Sequence, residues 1–366
     1  MSSIYLNPSA SSFTTPSTTS HSEIQSFHSQ LPHFKHTPLA PLKHLADQFD
    51  VKDVLVKDES SRCALPAFKI LGASWATFRA ITSLANLPLS TPLSELAGFA
   101  QKRNLSLYTA TDGNHGRAIA RMSALLGISA HIYVPRFTDP ETRAKIRSES
   151  DNVTVHGTDG EYDAAVFVAY AASRGSPQSL FIEDTSFEGY EDVPRWCVEG
   201  YSTLLHEIED AGVKATHVVV PIGCGGLGDA AVSFSKSEGR GIKVIAIEPE
   251  RAACLHASLR AGEMRTIETS DTIMDGMNCG SLSAISWEVL KGGVDASLTI
   301  CDEECHDAVQ YLQGNGVNAG PCGAGTLAGF RKLMADREAV GKLGIGEESV
   351  VVLLSTEGKR GYKVPE

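Results

Sequence analysis

The sequence predicts an α/β protein with two lobes, each built as three layers in which helices cover both faces of a parallel sheet. Short apolar stretches of strand length alternate with longer stretches whose apolar residues recur at helical spacing. This alternation predicts parallel strands, because a helix joins each strand to the next and crosses back over the sheet. The length of 366 residues is more than one hydrophobic core usually serves, so two lobes are expected.

The N-terminal segment, residues 1–34, is expected to be a partly irregular arm. Its first part is rich in Ser and Thr and has no periodic apolar pattern, so it either lies loose or packs on the surface. Ordered structure is predicted from Thr37 onward, and the apolar spacing that follows predicts a short helix ending near Phe49.

The remaining predicted elements follow in alternation. The predicted strands are residues 54–56, 107–110, 130–134, 154–156, 180–182, 217–222, 243–248 and 349–354. The predicted helices are residues 68–80, 116–126, 140–148, 162–174 and 201–209, with a further helix after residue 228. Ligands of such sheets bind at the carboxyl ends of the strands, so the loops that follow strands are the candidate sites.

The composition excludes several classes of function. Apolar residues make up 42% of the chain and charged residues 21%, which is typical of globular proteins. The formal net charge of -12 argues against a nucleic-acid partner, since phosphate neutralisation needs a surplus of Lys and Arg. No apolar run reaches the ~20 residues of a membrane span, and the N-terminus lacks the apolar core of a signal peptide. We therefore expect a cytoplasmic protein with no membrane partner.

The cysteines predict neither disulfides nor a metal site. All eight are scattered along the chain without the spacing of a disulfide framework, so free thiols are expected. Cys301, Cys305 and His306 lie close together, but no second pair of ligands follows at a suitable spacing.

Lys69 is the candidate nucleophile. It lies in the stretch KDESSRCALPAFKILG between the apolar residues Phe68 and Ile70. A lysine that loses part of its solvation stays neutral more readily, and a neutral amine can form a Schiff base. Taken alone, the simpler interpretation is a lysine whose stem runs along the surface while its ammonium stays in water. Two further segments favour the functional interpretation.

The first of these segments is the loop TDGNHG, which follows a predicted strand and opens a predicted helix. The N–H groups at a helix N-terminus suit an anion such as a substrate carboxylate. An ordinary turn would account for the glycines but less well for the dense polar side chains. Thr111, Asp112 and His115 are therefore candidate substrate-binding residues.

The second segment is the loop GCGGLG, residues 223–228, which stands between a buried strand and an Ala-rich helix. Its G-x-G-x-x-G pattern, with Glu248 at the end of the next strand, is also consistent with a dinucleotide site and hence with a nicotinamide-dependent oxidoreductase. The same glycines would serve any phosphate, since they clear the approach to N–H groups at a helix end. The oxidoreductase hypothesis leaves Lys69 and TDGNHG unexplained.

Three more loops follow predicted strands or consist of small residues. Asp184 and Glu188 lie in an acidic, aromatic loop, where a solvated role and a functional role are about equally expected. GPCGAGT (residues 320–326) and STEG (residues 355–358) are predicted loops whose small residues would let a flat ligand approach closely.

Together these motifs resemble the fold-type II pyridoxal-phosphate enzymes, the tryptophan synthase β-like group, and within it the diaminopropionate ammonia-lyases. The resemblance covers about residues 35–362 and rests on KDES with AFKILG, on TDGNHG, on EDTSFEGYEDVPRWCVEGY, on the glycine loop and on STEG. Asp112 and the phrase DTSFEGYE are its specific parts, because serine and threonine dehydratases usually carry a small residue at the position of Asp112.

The resemblance implies a pyridoxal 5'-phosphate site in a large domain, residues 35–74 and 178–366, beside a smaller α/β domain, residues 75–177. Lys69 would carry the cofactor as a Schiff base beside Phe68, and Asn114 would contact the ring hydroxyl. Ser355 would contact the pyridine nitrogen. The N–H groups that would bind the phosphate belong to Gly223, Cys224, Gly225, Gly226 and Leu227.

The resemblance also implies the chemistry, an α,β-elimination of ammonia from D- or L-2,3-diaminopropionate that yields pyruvate. Lys69 would remove the Cα proton of an L-substrate, and Asp112, on the opposite side, would be suited to a D-substrate. Asp184 would be a polar contact or a proton donor near the leaving group. The expected partners are a small amino acid and a second copy of the chain in a homodimer.

Two departures from the family pattern leave alternatives open. Pro321 and Cys322 stand where related chains often have a Ser-Glu pair, and the glycine loop carries Cys224. A serine or threonine dehydratase, or a β-replacement enzyme on another β-substituted amino acid, is therefore the alternative function. A relative that binds a ligand without catalysis would not need Lys69.

Overall fold

Two sheets organise the computed structural model, which describes residues 3–15, 21–237 and 239–365. The larger sheet has seven strands in the order β1-β10-β9-β8-β11-β3-β2, and the smaller has four in the order β6-β5-β4-β7. The strands of the larger sheet are β1 (Ile4–Leu6), β2 (Leu39–Pro41), β3 (Asp53–Asp58), β8 (His217–Pro221), β9 (Lys243–Pro249), β10 (Ala296–Ile300) and β11 (Val350–Ser355). Those of the smaller sheet are β4 (Ser106–Ala110), β5 (Ser129–Val134), β6 (Val153–Gly157) and β7 (Ser179–Phe181).

Helices connect these strands and cover them. They are α1 (His21–His28), α2 (Lys43–Phe49), α3 (Ile70–Ala85), α4 (Leu93–Lys102), α5 (Asn114–Leu126), α6 (Pro140–Arg147), α7 (Tyr162–Ser173), α8 (Asp192–Asp210), α9 (Gly226–Ser235), α10 (Cys254–Ala261), α11 (Ala284–Gly293), α12 (Asp302–Gly314), α13 (Pro321–Met334) and α14 (Arg337–Leu343). We call the larger sheet with its helices the large lobe and the smaller sheet with its helices the small lobe. Within the described ranges, no helix is both long and apolar enough to cross a membrane.

Both faces of the larger sheet are buried, as the sequence predicts. In β11, Val352 and Leu354 belong to one apolar cluster, while Val351 and Leu353 belong to the other. Alternate side chains of a strand point to opposite faces, so a strand that is apolar throughout must be covered on both sides. The α/β class and the helix-covered sheets are thus confirmed.

The larger sheet is not parallel throughout, which corrects the prediction. β1 pairs antiparallel with β10, and β2 pairs antiparallel with β3, so both edge strands run against their neighbours. An edge strand can enter antiparallel because it needs no crossover helix. β2 also occupies residues 39–41, where a helix was predicted, and Pro41 is tolerated there because an edge strand need not donate every N–H group.

The N-terminal arm is more ordered than predicted. β1 is a strand of the larger sheet, and Phe13 packs so closely on Gly292 and Gly293 that a Cβ at either glycine would overlap its ring. In α1, Phe27 is buried against Trp75. Although the arm is rich in Ser and Thr, its few apolar side chains hold it against the rest of the protein. Residues 16–20, part of the same prediction, lie outside the described residues.

The predicted loop at residues 320–326 is wrong, because α13 begins there at Pro321. Proline is favoured in the first turn of a helix, where its missing N–H group is not needed. The small residues serve helix packing: Gly323 lies against Ser355 and Gly329 against Ile247. α8 likewise begins at Asp192, well before the predicted start at Tyr201.

The predicted domain boundaries stay a prediction, although the smaller sheet extends beyond one of them. β7 pairs in parallel with β4, so the smaller sheet continues past the predicted boundary at residue 177. β7 follows α7 after a short connection, and α7 covers the smaller sheet. β7 therefore joins that sheet rather than the larger one.

Candidate active site

A cleft of about 900 Å³ lies between the two lobes, at the carboxyl ends of their strands. The segments that follow β3, β4, β7, β8 and β11 all contribute to its walls. Its lining includes the predicted site residues Phe68, Lys69, Thr111, Asp112, Asn114, His115, Asp184, Gly223, Cys224, Gly225, Gly226 and Leu227. Two residues considered from the sequence, Glu188 and Ser355, do not line the cleft, although Thr356, the neighbour of Ser355, does.

Lys69 stands directly before α3, and its Nζ lies 2.5 Å from Oδ2 of Asp184. The rings of Phe68 and Tyr201 lie 5.4 and 5.8 Å from the same nitrogen. Burial alone would favour the neutral amine, but Asp184 outweighs it and holds the pKa of Lys69 above its usual value. The predicted apolar setting, which was based on Phe68 and Ile70, therefore lacks a charged partner. Asp184 was not expected there because it lies far from Lys69 in the sequence.

Asp184 is the centre of a group of polar side chains. Besides Lys69, it accepts a hydrogen bond from the hydroxyl of Tyr201 at 3.2 Å, and Nδ1 of His115 lies 3.8 Å from it. Burial would raise the pKa of Asp184, but the Lys69 ammonium more than offsets this and holds the pKa well below its usual value. Asp184 is thus an ionised carboxylate. Sequence reasoning missed Tyr201, which it assigned only to a helix.

The chain segment before Lys69 is fixed by a buried network of charges. Glu207 of α8 binds Lys57 at 2.6 Å and Arg62 at 2.6 Å, and Arg62 also binds Glu59 at 2.7 Å. All four side chains are buried. The network ties the end of β3 to α8 and so fixes the path of the loop toward Lys69.

In the TDGNHG loop, Thr111 and His115 are buried, and their hydrogen bonds are internal. Oγ1 of Thr111 accepts hydrogen bonds from the N–H groups of Gly113 and Gly116, at 2.9 and 3.0 Å. Nε2 of His115 lies 3.0 Å from the carbonyl oxygen of Ile182, so this nitrogen carries a proton. Thr111 therefore shapes the loop, whereas His115 turns its other nitrogen toward Asp184.

Asp112, by contrast, exposes its carboxylate to the cleft. Although its side chain is exposed, the cleft walls partly desolvate Asp112, and this desolvation, together with the carboxylates of Asp275 and Glu183, raises its pKa to about 7. A carboxylate with this pKa exchanges a proton readily near neutral pH.

Asn114 links the two lobes through a residue that sequence reasoning did not single out. Its Nδ2 donates to Oε2 of Glu357 at 3.1 Å, while Oε1 of Glu357 accepts from the N–H of Cys322 at 3.1 Å and from Nε of Arg360 at 3.2 Å. Glu357 is the charged residue of STEG. A buried acid in a strand-end loop of otherwise small residues was the signal that could have found it.

The glycine loop forms a cradle at the N-terminus of α9. Gly225 has a φ of +101°, and a Cβ there would lie 2.9 Å from Cδ1 of Leu290. At Gly226 a Cβ would have its nearest neighbours, in Tyr201 and Val198, 3.7 Å away. The loop thus leaves the first N–H groups of a ten-residue helix open to the cleft, an arrangement that suits a phosphate.

Ser355 offers a second feature that fits a cofactor. It is fully buried at the end of β11, and its hydroxyl has no hydrogen-bond partner among the described residues. A buried hydroxyl without a partner is uncommon, and it fits a heteroatom of a bound ring. The reactive lysine, the phosphate cradle and this hydroxyl together fit pyridoxal phosphate.

Glu248 does not serve a dinucleotide. It is buried, and its two oxygens accept hydrogen bonds from the N–H groups of Leu255 and His256, both at 2.7 Å, at the start of α10. The acid that the oxidoreductase hypothesis assigned to a ribose is therefore occupied in capping a helix.

The predicted free thiols are observed, since all eight cysteines are free. Cys301 caps α12, and His306 contacts Tyr362. Throughout residues 3–15, 21–237 and 239–365, no group of three or more His, Cys, Asp or Glu side chains is placed to hold a metal ion.

Comparison with known proteins decides the family. The model of the pyridoxal-phosphate dependent enzymes matches residues 31–357. The chain belongs to this family. Diaminopropionate ammonia-lyase of Escherichia coli K12 is 30% identical over 357 residues, covering 92% of this chain and 88% of the relative. The enzyme of that name from Salmonella typhimurium is also 30% identical, with the same coverage.

Solved structures of the family agree with the fold. The Escherichia coli diaminopropionate ammonia-lyase in complex with D-serine has a TM-score of 0.84 at 27% identity and covers 97% of this chain and 93% of its own. The same enzyme with an aminoacrylate-PLP azomethine reaction intermediate also has a TM-score of 0.84, at 29% identity. Maize serine racemase, 20% identical with a TM-score of 0.74, shares the fold. The predicted resemblance, the fold type II architecture and the pyridoxal-phosphate cofactor are confirmed.

Proposed function

We propose that this enzyme is an ammonia-lyase that converts 2,3-diaminopropionate into pyruvate by α,β-elimination. The observation that carries the proposal is the likeness to diaminopropionate ammonia-lyases, which spans 92% of the chain and therefore both lobes and the cleft. Threonine-specific relatives are less similar: L-threonine ammonia-lyase of Thermotoga maritima is 28% identical over 64% of the chain, and the biosynthetic L-threonine dehydratase of Escherichia coli K12 is 27% identical over 82%. Asp112, exposed in the cleft, supports a substrate with more charge than serine or threonine.

The proposed cofactor site uses the cleft residues described above. Lys69 would hold pyridoxal phosphate covalently through Nζ, and the N–H groups of the loop from Gly223 to Leu227 would hold its phosphate. Asn114 has a second amide N–H and its oxygen available for the ring hydroxyl, and Ser355 has a hydroxyl available for the ring nitrogen. When bound, the cofactor supplies a conjugated ring that spreads the negative charge left on Cα after deprotonation.

Proton removal is assigned to two groups on different lobes. The amine of Lys69, as a free base, would take the Cα proton of the L-enantiomer, and the carboxylate of Asp112 would take that of the D-enantiomer. A pKa of about 7 makes Asp112 an effective base near neutral pH. The electron pair of the C–H bond forms a carbon–carbon double bond as the Cβ–N bond breaks and ammonia leaves. Water then hydrolyses the released enamine to pyruvate and a second ammonia.

Asp184 is assigned a polar contact with Lys69. While Lys69 is a free ammonium, it holds the pKa of Asp184 well below its usual range. As a carboxylate 2.5 Å from Nζ of Lys69, it fixes the direction of the amine and attracts a cationic leaving group.

Separate steady-state assays of D- and L-2,3-diaminopropionate that follow pyruvate test the proposal. We expect turnover of at least one enantiomer with a kcat/KM well above that for serine or threonine. Pyruvate or 2-oxobutyrate from serine or threonine at higher kcat/KM would instead assign a dehydratase. Product formation only in the presence of an added nucleophile would assign a β-replacement enzyme.

The same proposal includes the oligomeric state and the cellular location of the enzyme. A homodimer in the cytoplasm is proposed on the family resemblance alone. Light scattering on the purified protein and cell fractionation test the two parts.

A further inference from the structure

Glu183 is a buried carboxyl group to which the proposed mechanism gives no role. It lies two residues beyond the end of β7, and it has no exposure to solvent. Its Oε2 accepts hydrogen bonds from the hydroxyl of Thr109 at 3.0 Å and from the N–H of Ala110 at 2.9 Å. Its Oε1 accepts from the N–H of Asp184 at 3.1 Å and from the hydroxyl of Tyr162 at 3.2 Å. Donors on both oxygens favour the ionised form, because a carboxylate only accepts.

The position of Glu183 is fixed by its backbone, and its charge has no close cation. The hydroxyl of Tyr190 accepts from the N–H of Glu183 at 2.9 Å and donates to the carbonyl oxygen of Phe181 at 2.8 Å. Among the described residues, the one charge partner of Glu183 is His115, whose Nε2 lies 4.0 Å from Oε1 and is directed at the carbonyl oxygen of Ile182. A buried carboxylate in this situation depends on its hydrogen-bond donors, so these are costly to displace.

Tyr162 connects this buried acid to the cleft. It opens α7, is half-buried and lines the cleft. Because its hydroxyl proton is directed at Glu183, the Tyr162 oxygen keeps only the capacity to accept from another partner. Oε1 of Glu183 also joins this hydroxyl to the backbone of Asp184, whose side chain lies 2.5 Å from Nζ of Lys69. The Tyr162 hydroxyl therefore belongs to the same corner of the cleft as the candidate nucleophile.

We infer that Glu183 is a positioning residue that directs the proton of Tyr162 away from the cleft, so that the Tyr162 oxygen accepts a hydrogen bond from the second ammonium group of a diamino acid. This inference rests on the proposed function and names a residue that binds the group to be eliminated. An ammonium group only donates, so it matches an oxygen that only accepts, and its charge strengthens the bond. The hydroxyl group of serine brings no charge and forms a weaker, neutral bond.

Two substitutions and their combination test the inference as a double-mutant cycle. Tyr162→Phe removes the acceptor and should lower kcat/KM for 2,3-diaminopropionate by about 10- to 100-fold, the range for a hydrogen bond to a charged group. Glu183→Gln removes the charge and one acceptor, which frees the Tyr162 hydroxyl to turn its proton toward the cleft, and should cost about tenfold. In the Tyr162→Phe background, Glu183→Gln should add less than about threefold, because the group through which it acts is gone.

The conditions and the control follow from the same contacts. Burial raises the pKa of Glu183 above its usual value, so the assays are run at about pH 8.5, where the carboxylate prevails. Tyr170→Phe is the matched control, since Tyr170 also lies on α7 but its hydroxyl contacts the exposed Arg174 at 3.3 Å. It should leave kcat/KM within about twofold.

β-Chloroalanine, which has no second ammonium group, separates binding of that group from a general structural effect. Its kcat/KM, or its inhibition constant if it is not turned over, should change by less than about threefold in Tyr162→Phe and in Glu183→Gln. Equal losses for both compounds would overturn the inference, as would a loss from Glu183→Gln that is undiminished in the Tyr162→Phe background.

Thermal unfolding shows whether each variant folds. Tyr162→Phe leaves the buried acid in place, so an unchanged kcat/KM for diaminopropionate in this variant would overturn the inference even if Glu183→Gln is unstable. A wild-type enzyme that forms pyruvate from β-chloroalanine but not from diaminopropionate would instead overturn the proposed function itself.

Discussion

Asp112 combines exposure to the cleft with a raised pKa, and this combination predicts a pH dependence. Asp112→Asn keeps the size and turn propensity but cannot accept a proton. We expect D-diaminopropionate turnover to fall by about 10²- to 10⁴-fold, with a much smaller loss for the L-enantiomer. In the wild type, kcat/KM for the D-enantiomer should fall as the pH drops below about 7, because Asp112 then gains a proton. Equal losses on both enantiomers would leave Asp112 only a role in binding.

Lys69 can be tested without turnover. Borohydride reduction converts a Schiff base to a stable amine, so peptide mapping of the reduced holoenzyme should find the cofactor on Lys69. Lys69→Ala should abolish this label. Lys145→Ala should retain it, because Lys145 lines the same cleft but pairs with Glu141 on the small lobe. A label on Lys57, the buried lysine of KDES, would contradict the assignment.

At the scale of elements, the turn from β8 into α9 should respond differently at its two glycines. Gly226→Ala adds a methyl group with no protein neighbour closer than 3.7 Å, so the fold should persist while cofactor affinity falls by about tenfold or more. Gly225→Ala also strains a backbone at φ +101° and should lower stability. Fluorescence titration of the cofactor and thermal unfolding measure the two effects. Gly98→Ala, in open space on α4, is the control.

The junction of β3 and α8 depends on Glu207. Glu207→Gln leaves Lys57 and Arg62 buried with too little negative charge, and it should lower the free energy of unfolding by about 3–5 kcal/mol. Glu209→Gln, on the same helix, removes an exposed carboxylate that pairs with the guanidinium of Arg240, and it should cost less than about 1 kcal/mol. Denaturant unfolding of both variants gives the comparison.

Glu207 also gives this junction a pH dependence. Burial opposes ionisation, but Arg62 and Lys57 outweigh it and lower the pKa of Glu207 from 4.5 to about 2. A lowered pKa stabilises the folded state above pH 4.5, and this contribution is lost as the pH falls toward 2. Wild-type unfolding followed from pH 6 to pH 2 should contain this loss, and Glu207→Gln should lack it.

At the scale of the whole molecule, the sequence predicts most of the interior strands but misses both edge strands of the larger sheet and also β10, which lies between β1 and β9. Continuous apolar stretches locate β8 and β9, which are buried on both sides, and alternating apolar residues locate β4 and β5, which are buried mainly on one side. β1 and β2 are short edge strands whose pairing depends on distant partners, so their sequences carry little signal. The first turns of α13 were missed because glycines chosen for close packing against the sheet resemble those of a loop.

The candidate site divides in the same way. Lys69, Asp112 and the glycine loop were found because each follows a predicted strand within a recognisable motif. The Lys69–Asp184 pair and the Asn114–Glu357 hydrogen bond each join segments that are far apart in the sequence. Such contacts follow from how the lobes pack, and a single sequence does not state them.

Phe13 shows how a variant can measure the contribution of the N-terminal arm to the stability of the protein. Phe13 is half-buried against α11, so Phe13→Ala should lower the free energy of unfolding by roughly 1–2 kcal/mol, less than a fully buried Phe would lose. Leu84→Ala, at an exposed position of α3, should change it by less than about 0.5 kcal/mol. A null effect of Phe13→Ala would mean that the arm adds order without adding stability.

The ion pair between Lys69 and Asp184 bears on how a newly synthesised chain matures. An amine attacks an aldehyde only in its unprotonated form, and Asp184 keeps this amine protonated at neutral pH. Each unit by which the pH lies below the pKa of the amine makes the reactive form about ten times rarer. Loading of the empty enzyme with pyridoxal phosphate should therefore be slower at neutral pH than in alkaline solution, which the growth of the cofactor absorption band at several pH values would measure.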